Sequence, residues 1–239
     1  MRFDQKAFQY HDKASIQKEV ADWFSQWIDK DCSRLAGLEL GAGTGLFTRH
    51  LALRGFHELC ATDISQSMLN EGKTRLPNVR WEIQDAWRLE ARKADRVYAC
   101  SLLQWATDPI GVLNFWRDAL LKDGRLLACF FIEGSLKEFT RLDSGFPAFP
   151  WKNENEWLEI FRAANLDIVR SETRTDIMTY ESPRAALRQI HDIGAVRENS
   201  MKPSVLKRLL DDSGRRKRGG FGLSWRTMRV ECRQSNSQL

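Results

Sequence analysis

The stretch LELGAGTGLFTRHL, residues 38–51, constrains this chain more than any other. The apolar run RLAGLEL before it (34–40) has the length and composition of a buried strand. Glycines at 41, 43 and 45 crowd the bend that follows, and TGLFTRHLALRG (44–55) has helical spacing, with Gly55 placed to close the helix. A buried strand, a glycine bend and a helix form the first half of a strand–helix–strand unit. That unit commits the chain to a sheet that is at least partly parallel.

The same rhythm repeats. HELCATDIS (57–65) reads as a second strand ending in Asp63, followed by a helix from Gln66 to Lys73. NVRWEIQDA (78–86) and ADRVYACSLLQW (94–105) read as a third and a fourth strand. Pro109 opens a helix, PIGVLNFWRDALL (109–121), that stops near KDG, and RLLACFFIEG (125–134) is a fifth strand. Strand and helix thus alternate from Arg34 to Gly134, which implies a parallel sheet with helices on both faces. Upstream, residues 14–30 place Ile16, Val20, Trp23, Phe24 and Trp27 on one helical face. Downstream come a proline and aromatic loop, GFPAFPW (145–151), and an amphipathic helix over 153–165. A strand follows over 167–180, twisted or bulged because its alternation is imperfect, then two short helices (182–195 and 202–212) and a last strand over 221–233. The expected organisation is one domain over 1–239. It has an N-terminal helical segment (1–33), a cofactor-binding core (34–135) and a substrate-side half (136–239) whose helical lid covers about 182–213.

The bend itself selects a ligand by charge. A dinucleotide site of the form GxGxxG needs glycine at position 46, where this chain has Leu46. A pyrophosphate also favours a neutral or positive helix N-terminus, and the carboxylate of Glu39 would oppose it. A cation suits Glu39 better. S-adenosylmethionine is such a ligand, since its sulfonium and α-ammonium are positive and it carries no phosphate. Bare backbone at Gly41, Ala42, Gly43 and Gly45 would let its amino-acid end approach closely, because glycine has no Cβ. This ExGxGxG turn resembles motif I of the class I S-adenosylmethionine-dependent methyltransferases. The resemblance implies a Rossmann-like fold with a seven-stranded, mostly parallel sheet, helices on both faces and a helical lid before the last strand. It also implies that Asp63, 24 residues after Glu39, accepts from both ribose hydroxyls, while Ser65 caps the next helix. In IQDAW, Asp85 would accept from the adenine amino group, with Ala86 and Trp87 supplying backbone and ring contacts. Ile64 and Met68 would pack on the purine, and Ser101 would meet the cofactor at the end of the fourth strand.

The acceptor is read from the remaining motifs. CSLLQWATDP (100–109) lacks the double-proline signature of amino-methylating enzymes, and Cys100 lies inside a strand rather than where a cytosine-methylating nucleophile sits. LLQWATDP, FIEGSLKEF and ALRQIHDIGA resemble the malonyl-acyl-carrier-protein O-methyltransferases of biotin synthesis, as do Tyr10, Ala14 and Gln17 near the N-terminus. FGLSWRTM departs from that family's usual last strand, and His191-Asp192 from its usual residues before IGA. The resemblance implies methyl transfer to the free carboxylate of a malonyl thioester, on a carrier protein or on coenzyme A. A carboxylate, with a usual pKa of ~4, is already ionised and needs no general base. Tyr10 and Gln104 would close the site as hydrogen-bond donors and Trp105 would wall it. An arginine among Arg141, Arg174, Arg184 and Arg188 would grip the substrate, with Arg174 and Arg188 foremost. A quinol or phenol, another carboxylic acid and RNA are the rival acceptors, and a catalytically idle cofactor-binding module is the rival of another class.

Charge distribution supports an acidic partner. From Arg184 onward there are 13 Lys and Arg against 5 Asp and Glu, although the whole chain carries only +5. Such a rim would steer an acidic carrier protein; nucleic acid is the less favoured partner because few aromatic residues interleave with the basic ones. Five scattered cysteines without a CxxC pair argue against a disulfide framework or a metal site and for a reducing, cytoplasmic setting. No apolar run reaches the ~18 residues of a membrane span, and the N-terminus lacks the apolar stretch of a signal peptide.

Overall fold

The computed structural model describes residues 14–88, 92–142, 151–192 and 220–235. Seven strands form one sheet in the order β3-β2-β1-β4-β5-β7-β6. These are β1 (Ala36–Leu40), β2 (Glu58–Asp63), β3 (Arg80–Ile83), β4 (Ala94–Cys100), β5 (Leu120–Phe131), β6 (Leu166–Tyr180) and β7 (Phe221–Gln234). Strands β1 to β5 pair in parallel, and β7 runs antiparallel between β5 and β6. The irregular alternation of β6 corresponds to a register shift between Ile168 and Arg170.

The described helices are α1 (Ser15–Phe24), α2 (Thr48–Ala52), α3 (Gln66–Arg75), α4 (Pro109–Asp118), α5 (Lys137–Leu142), α6 (Glu154–Ala163) and α7 (Pro183–Asp192). Their starts follow the sequence closely. Ser65 accepts from the Met68 amide and Asp108 from the Gly111 amide, while Asn153 and Glu156 form a reciprocal capping box. Three elements differ from expectation. α2 is only five residues long, because Gly43 and Gly45 hold left-handed backbone (φ 56° and 90°) where the first helical turn would lie. α4 ends at Asp118, and β5 starts at Leu120, with Asp123 left-handed inside a protruding turn. α5 was not anticipated. It exists because Ser135, Leu136 and Glu138 clasp β7: Ser135 Oγ donates to the Arg226 carbonyl and accepts its amide, and the Glu138 carboxylate takes the Ser224 amide and hydroxyl. The GSL motif after the fifth strand is therefore a fastening here. Of the expected lid, α7 is described; the helix over 202–212, the basic run before Gly220 and Tyr10 lie outside the described residues.

Alternation along the strands separates two apolar layers. On one side Leu38, Leu40, Val97, Ala99 and Phe130 pack with Trp116 of α4 and Trp157 and Phe161 of α6. On the other, Tyr98, Cys129, Phe131 and Trp225 pack with Ile16, Val20 and Phe24 of α1 and Ala186, Leu187 and Ile190 of α7. α1 is thus laid across the sheet by its apolar face, each fully buried side chain contributing ~1.5–3 kcal/mol. Arg229 adds to this attachment. Its buried guanidinium lies 4.1 Å from the Trp23 ring centroid and 4.3 Å from that of Trp27, donates to the Trp23 carbonyl and pairs with Glu172.

Candidate active site

Successive crossovers leave β1 in opposite directions, toward β2 and toward β4, and a crevice opens where they diverge, at the carboxyl ends of the strands. It encloses about 520 Å³ and is lined by Glu39 through Thr44 (Leu40 excepted), Leu46 and Phe47, by Asp63–Ser65 with Met68, by Gln84–Trp87, by Cys100–Leu102 with Trp105, and by Gln17 from α1. Among the described residues its carboxyl groups are Glu39, Asp63 and Asp85, and no Lys, Arg or His is in the lining. The described carboxylates oppose a phosphate and suit a cation.

Glu39 is 1% exposed, and one of its carboxylate oxygens has no hydrogen-bond partner among the described residues. Burial pushes its pKa up to about 8, the neighbouring Thr48 hydroxyl offsets part of that rise and the charge of Asp63 adds to it. The acid is therefore held at the end of β1 with only partial compensation from the described residues. That fits a ligand that brings positive charge.

Asp63 is held differently. Its two oxygens accept the amides of Gly43 (2.8 Å) and Ser65 (2.9 Å), which fixes the carboxylate at the end of β2 facing the crevice. A carboxylate can accept more than one proton at each oxygen, the chemistry that a diol requires. Asp85 accepts the Trp87 amide (2.9 Å), so the loop after β3 curls around its own acid. Trp116 braces that loop from α4: its indole N–H donates to the Ala86 carbonyl (2.7 Å) and its ring stacks on Trp87. Met68 is buried against the crevice, whereas Ile64 is 67% exposed and stands at the rim.

The glycines divide their work. Gly41 and Gly43 both line the crevice, and a Cβ at Gly43 would meet nothing within 4 Å, so its bare backbone faces open space. A Cβ at Gly41 would lie 2.7 Å from Leu102, and one at Gly45 3.2 Å from Leu76 and Trp81. Gly45 is not a lining residue, and its lack of a side chain serves packing.

At the end of β4 the chain turns sharply, with Ser101 left-handed (φ 57°) and its amide donating to the Cys129 carbonyl. Ser101 and Trp105 both line the crevice. Gln104 does not; its amide N–H donates to the Ser101 carbonyl (2.8 Å), so the donor expected to close the site instead holds the turn. Arg174 is also elsewhere. It pairs with Asp176, donates to the Glu19 carbonyl and lies over the Trp23 ring, bound to the outside of α1. Arg141, Arg184 and Arg188 are exposed and outside the lining. The structure brings together the expected cofactor residues other than Gly45, and of the expected substrate residues that it describes it brings only Trp105.

Gln17 is the residue that motif reasoning left without a role. It is 8% exposed and lines the crevice. The available signal was a polar side chain beside Ile16 in the stretch that the helical pattern buries.

Comparison with known proteins agrees with this geometry. Residues 38–126 match the methyltransferase domain family. Over 99% of its length the chain is 26% identical to a malonyl-[acyl-carrier protein] O-methyltransferase of Marinomonas, covering 93% of that protein. A trans-aconitate 2-methyltransferase of Agrobacterium fabrum is 36% identical over 95 residues, 38% of this chain and 37% of that protein. Among solved structures, a candidate methyltransferase from Bacillus halodurans superposes with a TM-score of 0.66 at 11% identity, over 90% of this chain and 99% of that one. The fold is that of the class I methyltransferases, residues 38–126 are a methyltransferase domain, and the cofactor is S-adenosylmethionine.

Proposed function

We propose that this chain, built around an S-adenosylmethionine-dependent methyltransferase domain, methylates the free carboxylate of a malonyl thioester carried on acyl carrier protein, giving a methyl ester. When bound, the cofactor supplies an electrophilic methyl group on a sulfonium. The observation that carries the reading is that, among the described residues, the crevice beside the end of β4 has no His, Lys or Arg, and its nearest acid is the buried Glu39 of β1. The crevice there is lined by Cys100, Ser101, Leu102 and Trp105. Burial pushes the Cys100 thiol far above its usual range, so it stays protonated. Asp63 and Asp85 are tied to backbone amides on the far side. Among the described residues, an acceptor that must lose a proton finds at this end only Glu39, whose raised pKa keeps it protonated near neutral pH in the ligand-free protein, whereas a carboxylate arrives ionised.

The chain's own contribution is then placement and exclusion of water. Alignment of two reactants in one crevice can lower a barrier by ~7–11 kcal/mol. The Ser101 turn, held by the Gln104 side-chain amide, and Trp105 shape the wall against which the acceptor lies. α7, joined to α1 by the Gln189–Ser15 hydrogen bond (3.0 Å), carries Arg184 and Arg188 exposed one turn apart, and these cations suit a substrate carboxylate or an acidic carrier protein.

Similarity along nearly the whole chain to the Marinomonas protein supports the malonyl thioester. The identity shared with the trans-aconitate enzyme supports a second reading, a free polycarboxylic acid, which needs no base either. Radiolabelled methyl transfer to malonyl-carrier protein, acetyl-carrier protein and trans-aconitate separates them. Label on malonyl-carrier protein alone is expected; label on trans-aconitate alone establishes the second reading, and label on none removes both.

A further inference from the structure

The polar groups of the crevice are unequally satisfied. Asp63 and Asp85 accept backbone amides, but two buried side-chain oxygens that border the same space have no partner among the described residues, one on Glu39 and Oε1 of Gln17. They come from different elements. Glu39 projects from β1 on the side opposite Leu38 and Leu40, and that side is covered by α1, which brings in Gln17. Both stand toward β1 and β4, away from the loop after β3.

Two orphan acceptors buried together are costly unless a ligand supplies donors. The chemistry of the ligand decides which group that is. A sulfonium has no N–H or O–H, the ribose hydroxyls belong with Asp63, and the methionine carboxylate brings only acceptors. A malonyl thioester likewise presents oxygens at its reacting end. The α-ammonium is the group with several donors and a positive charge. Resting on the reading of this crevice as the methyl-donor site, we propose that Gln17 is a cofactor-binding residue: its side-chain oxygen and that of Glu39 together take the N–H donors of the α-ammonium group. α1 thereby becomes part of the cofactor site, recognising the amino-acid end while β2 and β3 recognise the nucleoside.

The test is calorimetric titration of the full chain at pH 6.5, where an α-amino group with a pKa near ~7.7–8.0 is protonated. Two probes are compared: S-adenosylhomocysteine, which has the ammonium, and 5′-methylthioadenosine, which keeps the nucleoside and lacks it. Gln17→Met retains length and apolar bulk while removing the polar atoms. It is expected to weaken S-adenosylhomocysteine roughly tenfold or more, the loss of a hydrogen bond to a charged group, and to leave 5′-methylthioadenosine within about twofold. Unchanged nucleoside binding also reports an intact fold. Gln17→Glu, which keeps acceptor oxygens at the position, is expected to retain S-adenosylhomocysteine within about threefold. Equal weakening of both probes by Gln17→Met, or weakening of neither, overturns the proposal. Failure of the unmodified chain to bind either probe overturns instead the reading of the crevice on which it rests.

Discussion

Over β2 and β3 the crevice is finished before any ligand arrives: both oxygens of Asp63 accept amides, Asp85 accepts the Trp87 amide, and Trp116 locks the Ala86 carbonyl from behind. Over β1 and β4 it is unfinished, with one oxygen each on Glu39 and Gln17 that has no partner among the described residues and a left-handed Ser101. The first region binds by preorganisation, so little ordering remains to oppose binding. The second keeps its buried acid protonated near neutral pH until a cation favours the charged form. The nucleoside end therefore supplies a fixed anchor, and the end where charge changes during methyl transfer is left for the ligand to complete.

The comparison can be broken most severely at Asp63. Asp63→Ala orphans the Gly43 and Ser65 amides and removes the diol acceptor, and is expected to weaken S-adenosylmethionine about a hundredfold or more by calorimetry. At the other end, Glu39 makes the ligand-free protein sensitive to pH. Its folded pKa of about 8 lies above the ordinary 4.5, so the native state holds this proton more tightly than the unfolded chain. The associated stability is complete below pH ~4.5 and is lost as pH rises through about 8. Denaturant unfolding across that window should show a decline on the order of a few kcal/mol, absent in Glu39→Gln and reduced by bound cofactor. The glycines sharpen the contrast further. Gly43→Ala should weaken the cofactor roughly tenfold with a stability cost near ~1–2 kcal/mol, the cost of left-handed backbone, because its methyl enters open space. Gly41→Ala meets Leu102 and should show the larger loss of thermal stability. The smallest effect is expected at Trp116→Phe, which keeps the ring but frees the Ala86 carbonyl: a severalfold rise in the cofactor KM with kcat unchanged.

What was readable in the sequence divides along the same line. The parallel strands, the Asp63 and Asp85 positions and the Ser65 cap follow from local pattern: apolar runs, glycine bends and acids at strand ends. Elements fixed by distant partners were not readable. α5 depends on Ser135 and Glu138 meeting β7 about ninety residues later, and no local periodicity encodes that clasp. Arg174 and Gln104 have the chemistry expected of substrate residues, yet Asp176, Trp23 and the Ser101 carbonyl engage them elsewhere. Gly45 shares the glycine pattern of the bend but serves the packing of Trp81. Gln17 lay in a helix whose apolar residues gave the signal, and only burial revealed its unpaired oxygen.

A crystal structure of the chain with S-adenosylhomocysteine tests the central claim most directly. The expected electron density places the ribose against Asp63, the purine between the loop after β3 and Met68, and the amino-acid end over β1, against Glu39 and Gln17. The reverse orientation, or a crevice that stays empty at saturating ligand, would contradict it.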